Sequence, residues 1–130
     1  MKKKKSKIIW IILIIIVIFI GGMIIYLSLN PPVIHSIENI DFTTIPDGSF
    51  TGYADNGIIS VSVSVTVADE RLTDILILEH QNGLGRRAEA IVEDVIDEQS
   101  LDVDVISSAT YSSNTILKAI ENALIYQMED

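Results

Sequence analysis

The chain has 130 residues, 48% of them hydrophobic, and 9 basic against 18 acidic side chains give a formal net charge of −9. The charge is divided: Lys2, Lys3, Lys4, Lys5 and Lys7 leave residues 1–30 at +5 with no carboxylate, whereas Arg71, Arg86, Arg87 and Lys118 against all 18 carboxylates leave the remainder at −14. A remainder of about 100 residues is one ordinary domain, and its acidity excludes nucleic acid as a partner, because phosphate backbones are held by concentrated Lys and Arg.

Residues 1–7 form a basic tail and residues 8–29 an apolar run with no charged side chain. As a helix this run is roughly 33 Å long at about 1.5 Å per residue, enough for roughly 30 Å of hydrocarbon, so it reads as a single transmembrane anchor in contact with membrane lipid. Trp10 and Tyr26 suit the two interfaces. The run is longer than the usual apolar region of about 7–15 residues in a cleaved signal, and no small-x-small site follows it. Lysines on the cytoplasmic side predict a single-pass protein whose C-terminal part is extracytoplasmic. There is no cysteine, so that part must fold without disulfides or thiolate chemistry.

Asn30, Pro31 and Pro32 end the anchor, since proline cannot continue a helix, and residues 30–44 read as a tether with an extended piece in which His35 is solvated. The domain is expected over residues 45–130. Pro46, Asp47 and Gly48 make a turn, and residues 49–54 a short strand. Asp55, Asn56 and Gly57 suggest a type I′ hairpin. Ile59, Val61, Val63, Val65 and Val67 then alternate with Ser60, Ser62, Ser64 and Thr66, the pattern of a strand with one buried face. Asp69 and Glu70 form the next turn. Residues 72–78 are apolar on both faces near Ile75 to Leu78, which predicts a central or doubly covered strand.

Residues 79–85 form a loop containing Gly83 and Gly85. A helix is predicted over residues 86–99, with Ala88, Ile91, Val92, Val95 and Ile96 as one apolar stripe. Residues 103–106 are expected to return to the sheet, and a second amphipathic helix to span residues 112–128 with Ile116, Leu117, Ile120, Ala123 and Leu124 inward. The order implies an α+β domain: an antiparallel sheet of three to four strands with two helices, preceded by the single transmembrane helix.

The densest run of hydroxyls is Ser107, Ser108, Thr110, Ser112 and Ser113, just before that second helix. Ser and Thr there cap free amides, but five exceed what one cap requires, and a helix N-terminus favours an anion. The sequence Asp104-Val105-Ile106-Ser107-Ser108-Ala109-Thr110, followed by Tyr111-Ser112-Ser113, resembles the flavinylation motif of the FMN-binding domain family, found in flavin-carrying subunits of the sodium-pumping quinone reductase and the Rnf complex. Residues 47–52, 72–75 and the loop from His80 to Gly85 resemble other parts of that family in the same order.

The resemblance implies that Thr110 accepts FMN through a phosphoester, with Asp104 read by a separate flavin transferase that uses FAD. Nothing near Thr110 in the sequence supplies a base with its own orienting partner, so self-attachment is not expected. Ser107, Ser108, Ala109, Ser112, His80, Gly83, Gly85 and Arg86 are the further candidates around the flavin. Ser108 stands where the family usually has glycine. Arg86 and Arg87 occupy the predicted first turn of a helix, where acidic residues are favoured, which marks one of them as a candidate for the flavin phosphate or ring. No metal site is expected. The implied function is an electron carrier, more a relay than a stand-alone enzyme, fed by a membrane donor such as a quinone-linked reductase. A cofactor-free membrane-anchored binding or assembly module is the alternative.

Overall fold

The computed structural model describes residues 2–81, 86–107 and 109–128. The chain divides into two compact units, Met1–Pro31 and Pro32–Asp130. The first is one α-helix, α1 (Lys2–Leu29). Its Ile, Leu, Val and Phe side chains are exposed, Phe19 at 72% and Val17 at 67%, so nothing within its own unit buries them. It is long and apolar enough to cross a membrane.

The second unit is α+β. Three strands, β1 (Gly48–Asp55), β2 (Ser60–Ala68) and β3 (Arg71–Gln81), form an antiparallel sheet in the order β1-β2-β3. A 3-10 turn (Arg86–Ala90) leads into α2 (Ile91–Glu98), and α3 (Thr110–Met128) closes the fold. The serine–valine alternation is realised in full: Val61, Val63, Val65 and Val67 are buried while the intervening residues are partly exposed. Ala88, Ile91 and Val95 are buried beside Ile116, Leu117, Ile120, Ala123 and Leu124, so both predicted apolar stripes enter one core.

The third strand departs from the expectation. β3 lies at a sheet edge, and Leu76 and Leu78 are 57% and 53% exposed. Register shifts fall between Thr66 and Val67 and between Ser62 and Val63, where Thr73 and Leu78 of β3 are the extra residues. Each extra residue reverses the side-chain alternation. The four inward valines of β2 therefore pair with Leu72, Ile75, Ile77 and His80, and the apolar run splits into a core half and an exposed half.

The turns also differ. Asp69 and Glu70 have φ of 54° and 62°, the left-handed pair of a two-residue type I′ hairpin, and the Asp69 amide donates to Asp47 Oδ1 at 3.1 Å. At the other hairpin only Gly57 has positive φ, and a four-residue loop is organised by the buried Asn56, whose Oδ1 accepts the amides of Ile58 and Ile59 at 3.0 and 2.7 Å.

Residues 33–44, expected as part of a tether, belong with the core together with Ile45. Ile40, Phe42 and Ile45 are buried, and a strap along α3 is tied by side chains. His35 donates its amide to Asn114 Oδ1 at 2.7 Å and accepts Asn114 Nδ2 on its carbonyl at 2.8 Å. Lys118 Nζ reaches Ser36 O at 3.2 Å, and Glu38 N reaches Glu121 Oε2 at 3.3 Å. The Asn114 carboxamide thus satisfies both backbone groups of one residue. Asn114→Ala leaves both unpaired and is expected to lower stability by about 1–3 kcal/mol, measured as the shift in a urea-unfolding midpoint.

Before the 3-10 turn Phe42–Thr44, Asp41 accepts Thr43 N at 3.0 Å and Thr43 Oγ1 at 2.6 Å. These bonds hold the Asp41 carboxyl below the ordinary carboxylate value. A depressed folded-state pKa contributes stability above the unfolded value, and that contribution is lost as pH falls through the folded one. The stability gap between wild type and Asp41→Ala is therefore expected at neutral pH and should close in acid, measured by urea unfolding at both pH values.

Residues 103–106 do not return to the sheet. Leu101 N and Ser100 Oγ both bond Asn39 Oδ1 at 3.1 Å, and Ile106 N donates to Ser113 Oγ at 3.1 Å. Side chains bind this segment where a strand partner would otherwise be needed.

Candidate functional site

Thr110 is the first residue of a 19-residue helix and is exposed. The approach is set by a turn in which Ala109 N donates to Ile106 O at 3.0 Å, while Ser113 N closes the first helical turn on Ala109 O at 2.9 Å. The helix starts two residues before the expected boundary, which puts Thr110 within its first turn. That turn leaves its leading amides without intrahelical acceptors, next to the Thr110 hydroxyl. The rest of the helix is anchored: Ser113, Thr115, Ile116, Ala119, Ile120 and Leu124 have no exposed surface.

Close contact with the sheet sets the height of this helix. A Cβ on Gly52 would lie 2.0 Å from Ala119 O and 2.6 Å from Ala123 N, so only glycine admits the helix backbone here. Asn122 Nδ2 donates to Tyr53 O at 2.8 Å. Toward the other end, the His35 ring meets Asp55 O at 2.8 Å while its backbone holds Asn114. His35 is therefore a half-buried bridge rather than a solvated tether residue. It brings the end of β1 beside the second turn of α3, so the N-terminus of α3 lies at the sheet end where β3 also finishes.

His80 is on the inner face of that sheet end, paired across β2 Val61 with buried Ala54 of β1. Its side chain is 5% exposed, Nδ1 lies 3.2 Å from Glu89 Oε1, and Nε2 is buried with no hydrogen-bond partner among the described residues. An unsatisfied buried acceptor or donor costs about 1–3 kcal/mol, so this atom is a fitting feature for a site that takes a polar ligand.

The candidates separate into groups. Thr110, Ser107 and Asp104 are exposed and Ala109 is half-buried, all on the approach to α3. Ser112 is 4% exposed and so does not share the open side of Thr110. Asp104 is in an irregular segment and not at the end of a strand. Ser108, Gly83 and Gly85 lie outside the described residues, as does the side chain of Arg86. The arginines precede the α-helix proper: α2 begins at Ile91 with Glu93 and Asp94 in its first turn, so its dipole preference is satisfied and Arg87 is simply exposed. Glu89 and Asn114 went unseen in the sequence. A Glu nine residues after a His has no helical or strand spacing, and only the bulge at Leu78 turns His80 toward it.

The geometry combines an exposed threonine hydroxyl, adjacent helix amides and a buried unsatisfied imidazole nitrogen at one end of the sheet. These fit an anionic group bearing polar ring atoms, as FMN does. The chain is 32% identical over 94 residues to an NADH:acrylate oxidoreductase of Vibrio harveyi, a match covering 70% of this chain and 9% of that relative's length. The sequence model of the FMN-binding domain matches residues 52–125, from the glycine under α3 through β2, β3 and α2 to the last turns of α3. The chain belongs to the FMN-binding domain family.

Proposed function

We propose that this protein is a membrane-anchored flavoprotein that carries FMN on Thr110 through a phosphoester and relays electrons outside the cytoplasmic membrane. The observation that carries the proposal is the exposed hydroxyl of Thr110 at the start of a buried, rigidly seated helix within the matched family region. Bound FMN supplies the one- and two-electron chemistry that no side chain of this chain has. The chain's own residues hold it. Thr110 Oγ1 provides the bond, the free amides of the first turn of α3 face the phosphate charge, and His80, Ser107 and Ala109 border the site, with Gly83 and Gly85 as further candidates. Ser108 and Arg86 are secondary candidates for the same site.

Attachment needs a partner. Nothing near Thr110 in the sequence supplies a base with its own orienting partner, so a flavin transferase that reads Asp104 supplies one. Thr110 Oγ1 displaces AMP from FAD: a Thr–O–phosphorus bond forms, the phosphoanhydride bond breaks, and the hydroxyl proton leaves with the enzyme's base.

The lysine-rich tail keeps the N-terminus cytoplasmic and the FMN domain extracytoplasmic. The relative's name pairs NADH with acrylate, and this chain corresponds to 9% of that protein, so that pairing is not carried over to this chain. A quinone-linked membrane reductase is the proposed donor. The test is co-expression of the full chain with a flavin transferase, followed by denaturation and peptide mapping. Flavin fluorescence on the peptide containing Thr110 is the expected result. A chain free of flavin under those conditions favours the cofactor-free binding module.

A further inference from the structure

We propose that Glu89 and His80 form a recognition pair in which His80 Nε2 accepts a hydrogen bond from an N–H or O–H donor of the flavin. The proposal rests on the flavin-carrying function above and adds a residue pair to it. Ionised Glu89 can only accept, so at 3.2 Å it requires the hydrogen on Nδ1 of His80. In the neutral ring Nε2 is then left as an acceptor, and it is buried without a donor among the described residues. Packing alone does not call for an imidazole at this point. The other inward residues of β3 are Leu72, Ile75 and Ile77, and an aliphatic side chain would fill the row opposite Val61 with no unsatisfied atom.

The bulge at Leu78 is what turns His80 inward, and the 3-10 turn carrying Glu89 packs against α3, whose first residue is Thr110. The pair therefore links the edge strand to the helix that bears the attachment residue. FMN has suitable donors in its ring N–H and its ribityl hydroxyls, and an acceptor of fixed polarity orients the ring where a phosphate bond alone leaves it free to swing.

The test uses the full chain labelled with 15N-histidine in detergent micelles. His35, the other of two histidines, serves as the internal reference because its ring already bonds Asp55 O. The flavin-free Thr110→Ala chain is expected to show His80 as the Nδ1–H tautomer. In the flavinylated wild type the Nε2 resonance should move while that of His35 stays. Titrating free FMN into Thr110→Ala should reproduce the shift, so the pair is tested even where covalent attachment fails. Glu89→Gln, whose amide can donate as well as accept, should release the tautomer and weaken free FMN binding roughly two- to tenfold. A shift reproduced by lumiflavin assigns the donor to the ring, and one seen with FMN alone assigns it to the ribityl chain; both support the pair. An Nε2 resonance unmoved by either covalent or free FMN, or an Nε2–H tautomer in the flavin-free chain, overturns it.

Discussion

Replacing Thr110 by Ala is expected to abolish flavin that survives denaturation while leaving the fold unchanged. The side chain is exposed and contributes nothing to the core, and alanine at the first position of a helix costs the helix nothing. The proposed phosphoester, by contrast, loses the oxygen through which it forms. Thr110→Ser keeps a hydroxyl at the same position and should retain part of the label. In-gel flavin fluorescence reads the attachment, and circular dichroism during heating reads the fold. Fluorescence persisting in Thr110→Ala would move the acceptor to a neighbouring hydroxyl, with Ser107 the nearest exposed serine or threonine among the described residues. The substitution also separates attachment from affinity, since non-covalent FMN can still be titrated into the variant.

Gly52→Ala should damage the protein through packing alone. A methyl group 2.0 Å from Ala119 O and 2.6 Å from Ala123 N meets helix backbone, which cannot rotate away as a flexible side chain can. Either α3 lifts from the sheet or β1 bends. Overpacking usually costs about 1–3 kcal/mol, and with backbone as the obstacle about 3 kcal/mol or more is expected here. A matched control is Gly21→Ala in α1, where a Cβ has no neighbour within 4 Å. Urea unfolding followed by far-ultraviolet circular dichroism checks both. The Gly52 variant should also take up less flavin, because the helix that carries Thr110 is the element displaced. An unchanged midpoint would mean that the helix–sheet contact is looser than its geometry requires.

The exposed half of β3 raises a related point about the sheet. Leu76 and Leu78, on an edge strand, are exposed because Thr73 and Leu78 are extra residues against β2. Read as a plain alternating or doubly buried strand, this segment puts His80 in a loop and not on the inner face of the sheet. Two bulges invert the pattern twice, and each depends on pairing with β2, which local spacing does not encode. The same reason hides the strap. Val33 to Phe42 looks like a tether because prolines precede it and polar residues interrupt it, yet its partners Asn114, Lys118 and Glu121 are about eighty positions away in the chain.

What the sequence determined by itself is whatever has a short period or a local signature. The apolar run of residues 8–29, the valines of β2, the two amphipathic stripes and the Asp104–Thr110 motif all act within a few residues, through burial on one face or through a helix start. The divided charge belongs with them. The tertiary structure alone decided that Gly52 lies under α3, that His35 bridges β1 and α3, and that Glu89 faces His80. These contacts join elements distant in sequence, and their hydrogen bonds and close approaches exist only once sheet register and helix position are set. Thr110 belongs to both classes: the motif names it, but its exposure at the head of a buried helix is a property of the fold.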